Sequence, residues 1–309
     1  HVFDEVFRAA GTSLDEQIDL VRLDPQFAYH WTDGTSLIVP DSDDDTAHAF
    51  DEFNPGAGDQ WRAFDERGRR IWDVADRTFF AGPMSNPWSL ATRLRSPFDL
   101  TAIDPMRTLQ RSAESFFDDP RLVQWAGRYA TYSGSSPYAA PATLACIPHI
   151  EARFGCWYPM GGLDALRAAF ERVARDIGVE IHTGTVVAGI VAPDGGAVSG
   201  VRLADGSQEP ADVVVANIDA EHLDADLLPD AGALKRVRRA KRSTSGFVLC
   251  VGVRGLTPGL QHHNVWFSDS YRAEYDQLDA GALADEPTIY ACVSAVTDPS
   301  QAPDGCENW

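Results

Sequence analysis

Pro159-Met160-Gly161-Gly162-Leu163-Asp164-Ala165-Leu166 opens the stretch that decides the fold, which runs on to Asn217. Leu163, Leu166, Phe170, Val173 and Ile177 step by three, four, three and four residues, so they share one face of a helix. Gly178 supplies the left-handed position that ends such a helix. Strands are expected over Val179 to His182, Val186 to Val191 and Val198 to Leu203, with turns at Asp194-Gly195-Gly196 and Asp205-Gly206. Val213-Val214-Val215-Ala216 reads as a further apolar strand.

On the N-terminal side, Phe27 to Val39 reads as a hairpin around Asp33-Gly34, since the favoured two-residue turn needs positive φ at both central positions. Asp41 to Asp45 reads as a solvated loop and helix N-terminus rather than a metal site. From Phe50 to Tyr138 the pattern is helical and holds 15 of the 31 aromatic residues. Pairs such as Trp61/Phe64 and Trp125/Tyr129 suit helix packing; the alternative is a wall of rings around a long apolar ligand. On the C-terminal side, Lys235 to Arg242 carries six basic residues in eight, a solvated helix end or a contact for lipid headgroups. Strands are expected again at Gly246 to Val253, Val265 to Ser268 and Thr288 to Ser294.

The 309 residues carry a formal net charge of −20, which repels phosphate backbones and argues against nucleic acid as a partner. Cysteines 146, 156, 250, 292 and 306 are odd in number and lack C-x-x-C spacing, so neither a disulfide framework nor a zinc cluster is expected. No apolar run approaches the length of a membrane span. His1-Val2-Phe3 has no signal-like composition, and both ends read as cuts within a longer chain.

Common active-site motifs are missing. Gly56-Ala57-Gly58 is followed by Asp59-Gln60-Trp61 and does not complete G-x-G-x-x-G; P-loop, H-E-x-x-H and G-x-S-x-G patterns are also absent. His262-His263 is the one histidine pair, and alternation along a strand would point the two rings to opposite faces, so no metal centre is expected.

Taken together, several collinear stretches resemble the bacterial-type phytoene desaturases and their carotenoid-dehydrogenase relatives. They include Val2-Phe3-Asp4-Glu5, Asn54-Pro55-Gly56, Ser133-Gly134-Ser135-Ser136-Pro137-Tyr138, Trp157-Tyr158-Pro159-Met160-Gly161-Gly162, Ala211 to Ala220, His262-His263-Asn264 and Thr297-Asp298-Pro299-Ser300-Gln301-Ala302-Pro303-Asp304-Gly305. Helix, strand, meander and strand is also the order found in the cofactor half of glutathione-reductase-like flavoproteins, a likeness of fold and not of function.

The resemblance implies an α/β chain: an internal fragment of a glutathione-reductase-like FAD-binding fold, joined to an α+β substrate domain of helices and mixed sheet. Residues 1–156 would be substrate and membrane-contact region, 157–220 an inner section of the FAD domain, and 221–309 substrate-domain strands. The glycine-rich FAD segments that open and close such enzymes are not in the sequence, so the chain alone should bind FAD poorly and be inactive. Val186, after Gly178-Val179-Glu180-Ile181, matches a valine whose backbone contacts adenine in the wider amine-oxidase-like fold, and Gly161, Gly162 and Asn217 are further cofactor-binding candidates. Arg95 matches an arginine placed near the substrate in some members, although Thr92 stands where they carry an acidic residue. The implied reaction is desaturation of phytoene or a related C40 polyene, with oxygen or a quinone as electron acceptor, at the cytoplasmic face of a membrane. A ketolase, isomerase or saturase of the same fold, or a flavin-free apolar-ligand-binding protein, are the alternatives.

Overall fold

A computed structural model describes residues 2–82, 92–96, 98–193 and 196–309. The strands in chain order are β1 (Leu20–Arg22), β2 (Phe27–His30), β3 (Ser36–Val39), β4 (Trp157–Pro159), β5 (Val187–Val191), β6 (Gly200–Leu203), β7 (Gln208–Pro210), β8 (Gly252–Arg254), β9 (His263–Trp266), β10 (Ile289–Cys292) and β11 (Cys306–Asn308). The chain divides into two compact units, His1–Phe170 with Ser243–Trp309, and Glu171–Arg242. The three sections read from the sequence are divisions by role and stand as a proposal beside these units.

The larger unit is built on the sheet β10-β9-β2-β3, in which β2 pairs parallel with β9 and the other pairs are antiparallel. The expected hairpin forms β2 and β3, but its turn differs. Gly34 alone has positive φ, at 83°, and Asp33 Oδ1 accepts the Thr35 N–H at 2.9 Å, so the loop is longer than a two-residue turn. Ser42 caps the helix Asp43–Phe53, accepting from Asp45 N, and the acidic run fills the first helical turn as expected. Asp119 caps the helix Pro120–Gly127, with Pro120 at its first position.

Helices Asp43–Phe53, Ala57–Thr78 and Pro120–Gly127 carry the rings that fill the core. Trp125 is the hub: Tyr29, Phe50, Phe64, Phe117 and Tyr129 meet it edge to face, with centroids 5.0 to 6.5 Å away. The helix Leu163–Asp176 buries Ala169 and Val173 and stacks Phe170 on Phe7 at 4.7 Å. Gly178, φ 90°, ends it as expected. At its two ends the apolar face runs out, and Leu163 and Ile177 are exposed.

The smaller unit contains the meander β5-β6-β7, antiparallel throughout. Its first turn, at Asp194-Gly195, lies outside the described residues. Three expected strands do not form as such. Val179 to His182 and Val213 to Ala216 are irregular, and Gly246 to Val253 contributes only its end to β8. Val215 and Phe247 are 88% and 87% exposed. A β-branched run favours extended backbone, but a strand needs a neighbour to complete its ladder; among the described residues Val213 to Ala216 has none, and the Gly246 run finds one only from Val251 on, in Glu307 to Trp309.

Candidate functional site

Register places Phe27 and Tyr29 of β2, His263 and Val265 of β9, and Tyr290 and Cys292 of β10 on one face of the larger sheet. Arg128, which follows the helix Pro120–Gly127, points its guanidinium into this face. It lies over the rings of Phe27 and Tyr129 at 4.4 Å each, and over Tyr29 and Tyr132 at 5.1 and 5.9 Å. Arg128 Nε donates to the Tyr29 hydroxyl at 2.9 Å. Its Nη2 lies 3.6 Å from Glu151, whose carboxylate also accepts from the Tyr129 and Tyr132 hydroxyls. Arg128 is only 8% exposed, so a buried cation is held by rings and one carboxylate. Burial and the nearby Glu151 carboxylate push the Tyr29 phenol up from its ordinary value.

At the edge of this face the two histidines meet, contrary to the expectation from strand alternation. His262 lies just ahead of β9, with its carbonyl accepting from Val293 N at 2.8 Å. The imidazoles pack edge to face at 4.6 Å, and Cys292 adds its sulfur: one ligating atom from each of the three lies within 4.8 Å of the others. Thr297 Oγ1 lies 2.7 Å from His262 Nδ1, and the Tyr290 hydroxyl 2.7 Å from His263 Nδ1. Burial, reinforced by His262 and Arg128, lowers the His263 imidazole to about 3, so it is neutral at pH 7.

Gly161 and Gly162 form the turn between β4 and the helix Leu163–Asp176, with φ of 88° and 80°. Sequence reasoning missed the residue that organises them. Asp298 Oδ2 accepts the Gly161 N–H at 2.9 Å, the Gln301 amide at 3.1 Å and the Tyr158 hydroxyl at 3.3 Å, while Oδ1 accepts from Ser300. The Thr297-Asp298-Pro299 motif was the available signal, because Asp ahead of Pro is a capping arrangement. The hydrogen bonds from Ser300 and Gly161 hold Asp298 down at about 2. A carboxylate depressed in the folded state contributes stability above its unfolded value, near 4, and loses it as pH falls through about 2. Asp298→Asn is therefore expected to lower Tm by roughly 5 °C at pH 7 and to flatten the fall in Tm between about pH 4 and pH 2; parallel acid limbs in thermal melts would refute it.

Gly162 N–H donates to Pro159 O at 2.9 Å, so both glycine amides are occupied within the fold. The turn presents backbone without side chains and no unpaired amide donor. Val186 and Asn217 lie in the smaller unit, both exposed and outside strands, with the Val186 carbonyl accepting from Ala204 N. Arg95 is exposed; its backbone N–H donates to Asp99 Oδ2 at 2.8 Å, and Asp99 also pairs with Arg77. A cleft of about 570 Å³ opens elsewhere on the larger unit, between Trp31, Asp33, Arg121, Tyr138, Asp269 and Arg272. None of the five predicted site residues lines it.

The rings of the aromatic segment divide by burial. Phe50, Trp61, Phe64, Phe117, Trp125 and Tyr129 are buried against one another as helix packing, whereas Phe80, Phe98 and Tyr132 are exposed. Trp88 lies outside the described residues. In the basic run, Arg238 and Arg242 both pair with Glu221, which reduces the charge available to lipid. No described helix is long and apolar enough to cross a membrane.

Sequence comparison assigns the family. The family described as flavin containing amine oxidoreductase matches residues 5–305, and the chain belongs to that family. Among curated relatives, hydroxyneurosporene desaturase of Cereibacter sphaeroides is 37% identical over 100% of this chain and 62% of its own length. The 4,4'-diapolycopene oxygenase of Methylomonas sp is 32% identical (99% and 62%), and the zeta-carotene-forming phytoene desaturase of Myxococcus xanthus 33% (98% and 59%). The chain thus spans about three fifths of the length of these relatives. Solved structures of similar fold include an oxidoreductase from Methanosarcina mazei, with TM-score 0.55, 17% identity and coverage of 94% of this chain and 60% of that one. A putrescine oxidase gives TM-score 0.50, 13% identity, and coverage of 99% and 61%.

Proposed function

We propose that the protein containing this chain is a flavin-dependent carotenoid desaturase, converting phytoene or a related C40 polyene into a more conjugated carotene. The observation that carries this is the family match over residues 5–305 together with relatives named as carotenoid desaturases and oxygenases across nearly the whole chain. FAD is the proposed cofactor, oxygen or a quinone the electron acceptor, and the cytoplasmic face of the membrane the source of substrate. When bound, flavin supplies a two-electron acceptor for the hydrogens removed from a C–C single bond. This chain would supply the apolar substrate region, with Arg95 the candidate side chain beside the polyene, and Gly161, Gly162, Val186 and Asn217 the candidate cofactor contacts.

Expression of the full-length protein in cells that accumulate phytoene tests the proposal. Coloured polyenes lighter than phytoene by multiples of two hydrogens are expected, with Arg95→Ala lowering the yield at unchanged protein level. Phytoene left unchanged by an expressed, flavin-loaded protein would refute the choice of substrate. The oxygenase among the relatives favours a second reading, in which the same experiment with an already desaturated carotene yields a product that has gained oxygen.

A further inference from the structure

We propose that His262, His263 and Cys292 form a binding site for a soft d10 cation, Zn(II) or Cu(I), on the edge of the β10-β9-β2-β3 sheet. Two observations converge on it. One ligating atom from each residue already lies within 4.8 Å of the others, and bonds of ~2.0–2.3 Å bring such a set onto one ion with a small closure of side chains. Each imidazole has Nδ1 engaged by an outer partner, Thr297 for His262 and Tyr290 for His263. Those hydrogen bonds fix the two rings, the role that second hydrogen bonds play for metal-binding histidines.

The donors also choose the metal. Two imidazoles and a sulfur, with no carboxylate in the set, suit thiophilic ions and not Ca²⁺ or Mg²⁺. Binding exchanges the Cys292 S–H bond for a sulfur–metal bond and releases the proton to solvent, with no change of oxidation state. The thiolate offsets the ion's charge, wholly for Cu(I) and in part for Zn(II), which matters on a face that already holds the Arg128 guanidinium. Three protein ligands leave a fourth position for water or a further donor. His262 is buried and packs on Tyr158 at 4.7 Å, while His263 stacks on Phe27 at 4.9 Å, so both rings are held in place before any ion arrives. The bound ion would clamp β9 to β10 and close this corner of the sheet.

Cobalt(II), as a spectroscopic stand-in for zinc, tests the site in the full-length protein stripped with chelator. One equivalent is expected to bind and give the intense visible bands of tetrahedral cobalt, at longer wavelength than flavin absorption. Zn²⁺ should slow alkylation of Cys292 by iodoacetamide at least tenfold, mapped by mass spectrometry. Cys292→Ser and His263→Gln should abolish the bands with Tm of the metal-free protein retained, whereas Cys250→Ser, at an exposed cysteine, should leave them intact. Absence of stoichiometric binding, or cobalt bands that persist in Cys292→Ser, would overturn the proposal.

Discussion

Arg128→Ala is expected to destabilise the protein by about 3–5 kcal/mol, the cost of breaking a buried ion pair from one side. The guanidinium is surrounded by Phe27, Tyr29, Tyr129 and Tyr132, and its removal leaves Glu151 facing two tyrosines without a cation. Lysine cannot substitute well, because an ammonium lacks the planar surface that stacks on Phe27 and Tyr129. Replacing both charges, Arg128→Met with Glu151→Gln, should recover a large part of the loss, since the penalty lies in the orphaned charge and not in the absent pair. Denaturant melts of the three variants give the comparison. A loss below about 1 kcal/mol for Arg128→Ala would mean that water reaches the guanidinium and that its aromatic surroundings contribute little.

Trp125→Ala should cost a similar ~3–5 kcal/mol for a different reason, the cavity left when a fully buried ring with five aromatic neighbours is removed. Its indole N–H has no partner among the described residues, so no hydrogen bond is lost with it. Phe98→Ala, at a ring that is 79% exposed, should change stability by less than about 0.5 kcal/mol. The contrast separates the two roles open to the aromatic segment. Rings that pack the core report in stability, while rings that meet an apolar substrate or lipid report in turnover with stability unchanged. Phe98→Ala that lowered Tm as much as Trp125→Ala would contradict this division.

Local elements were legible because their signals are local. The Asp33-Gly34 hairpin, the capped helix after Ser42, the helix ended by Gly178 and the β5-β6-β7 meander each follow from residues a few positions apart. The candidate site was legible only as a list of likenesses. Gly161 and Gly162 stand out by their spacing, but their amides are engaged by Pro159 and Asp298, one of them 137 residues away. Nothing near Arg128 in sequence announces a buried cation, because Tyr29 and Phe27 come from a strand some hundred residues earlier.

What the sequence determined by itself is therefore the family, the helix and strand propensities, the acidic surface and the absence of a self-contained catalytic motif. Tertiary structure alone decided which apolar runs became strands, since Val213 to Ala216 and Gly246 to Cys250 have the propensity but no strand partner among the described residues. It also decided which rings became core, and it brought His262, His263 and Cys292 to one corner. The physical reason is common to all of these. Periodicity and turn chemistry act over a few residues, whereas ladder hydrogen bonds, cavity filling and the pairing of buried charge depend on partners that only the folded chain brings within reach.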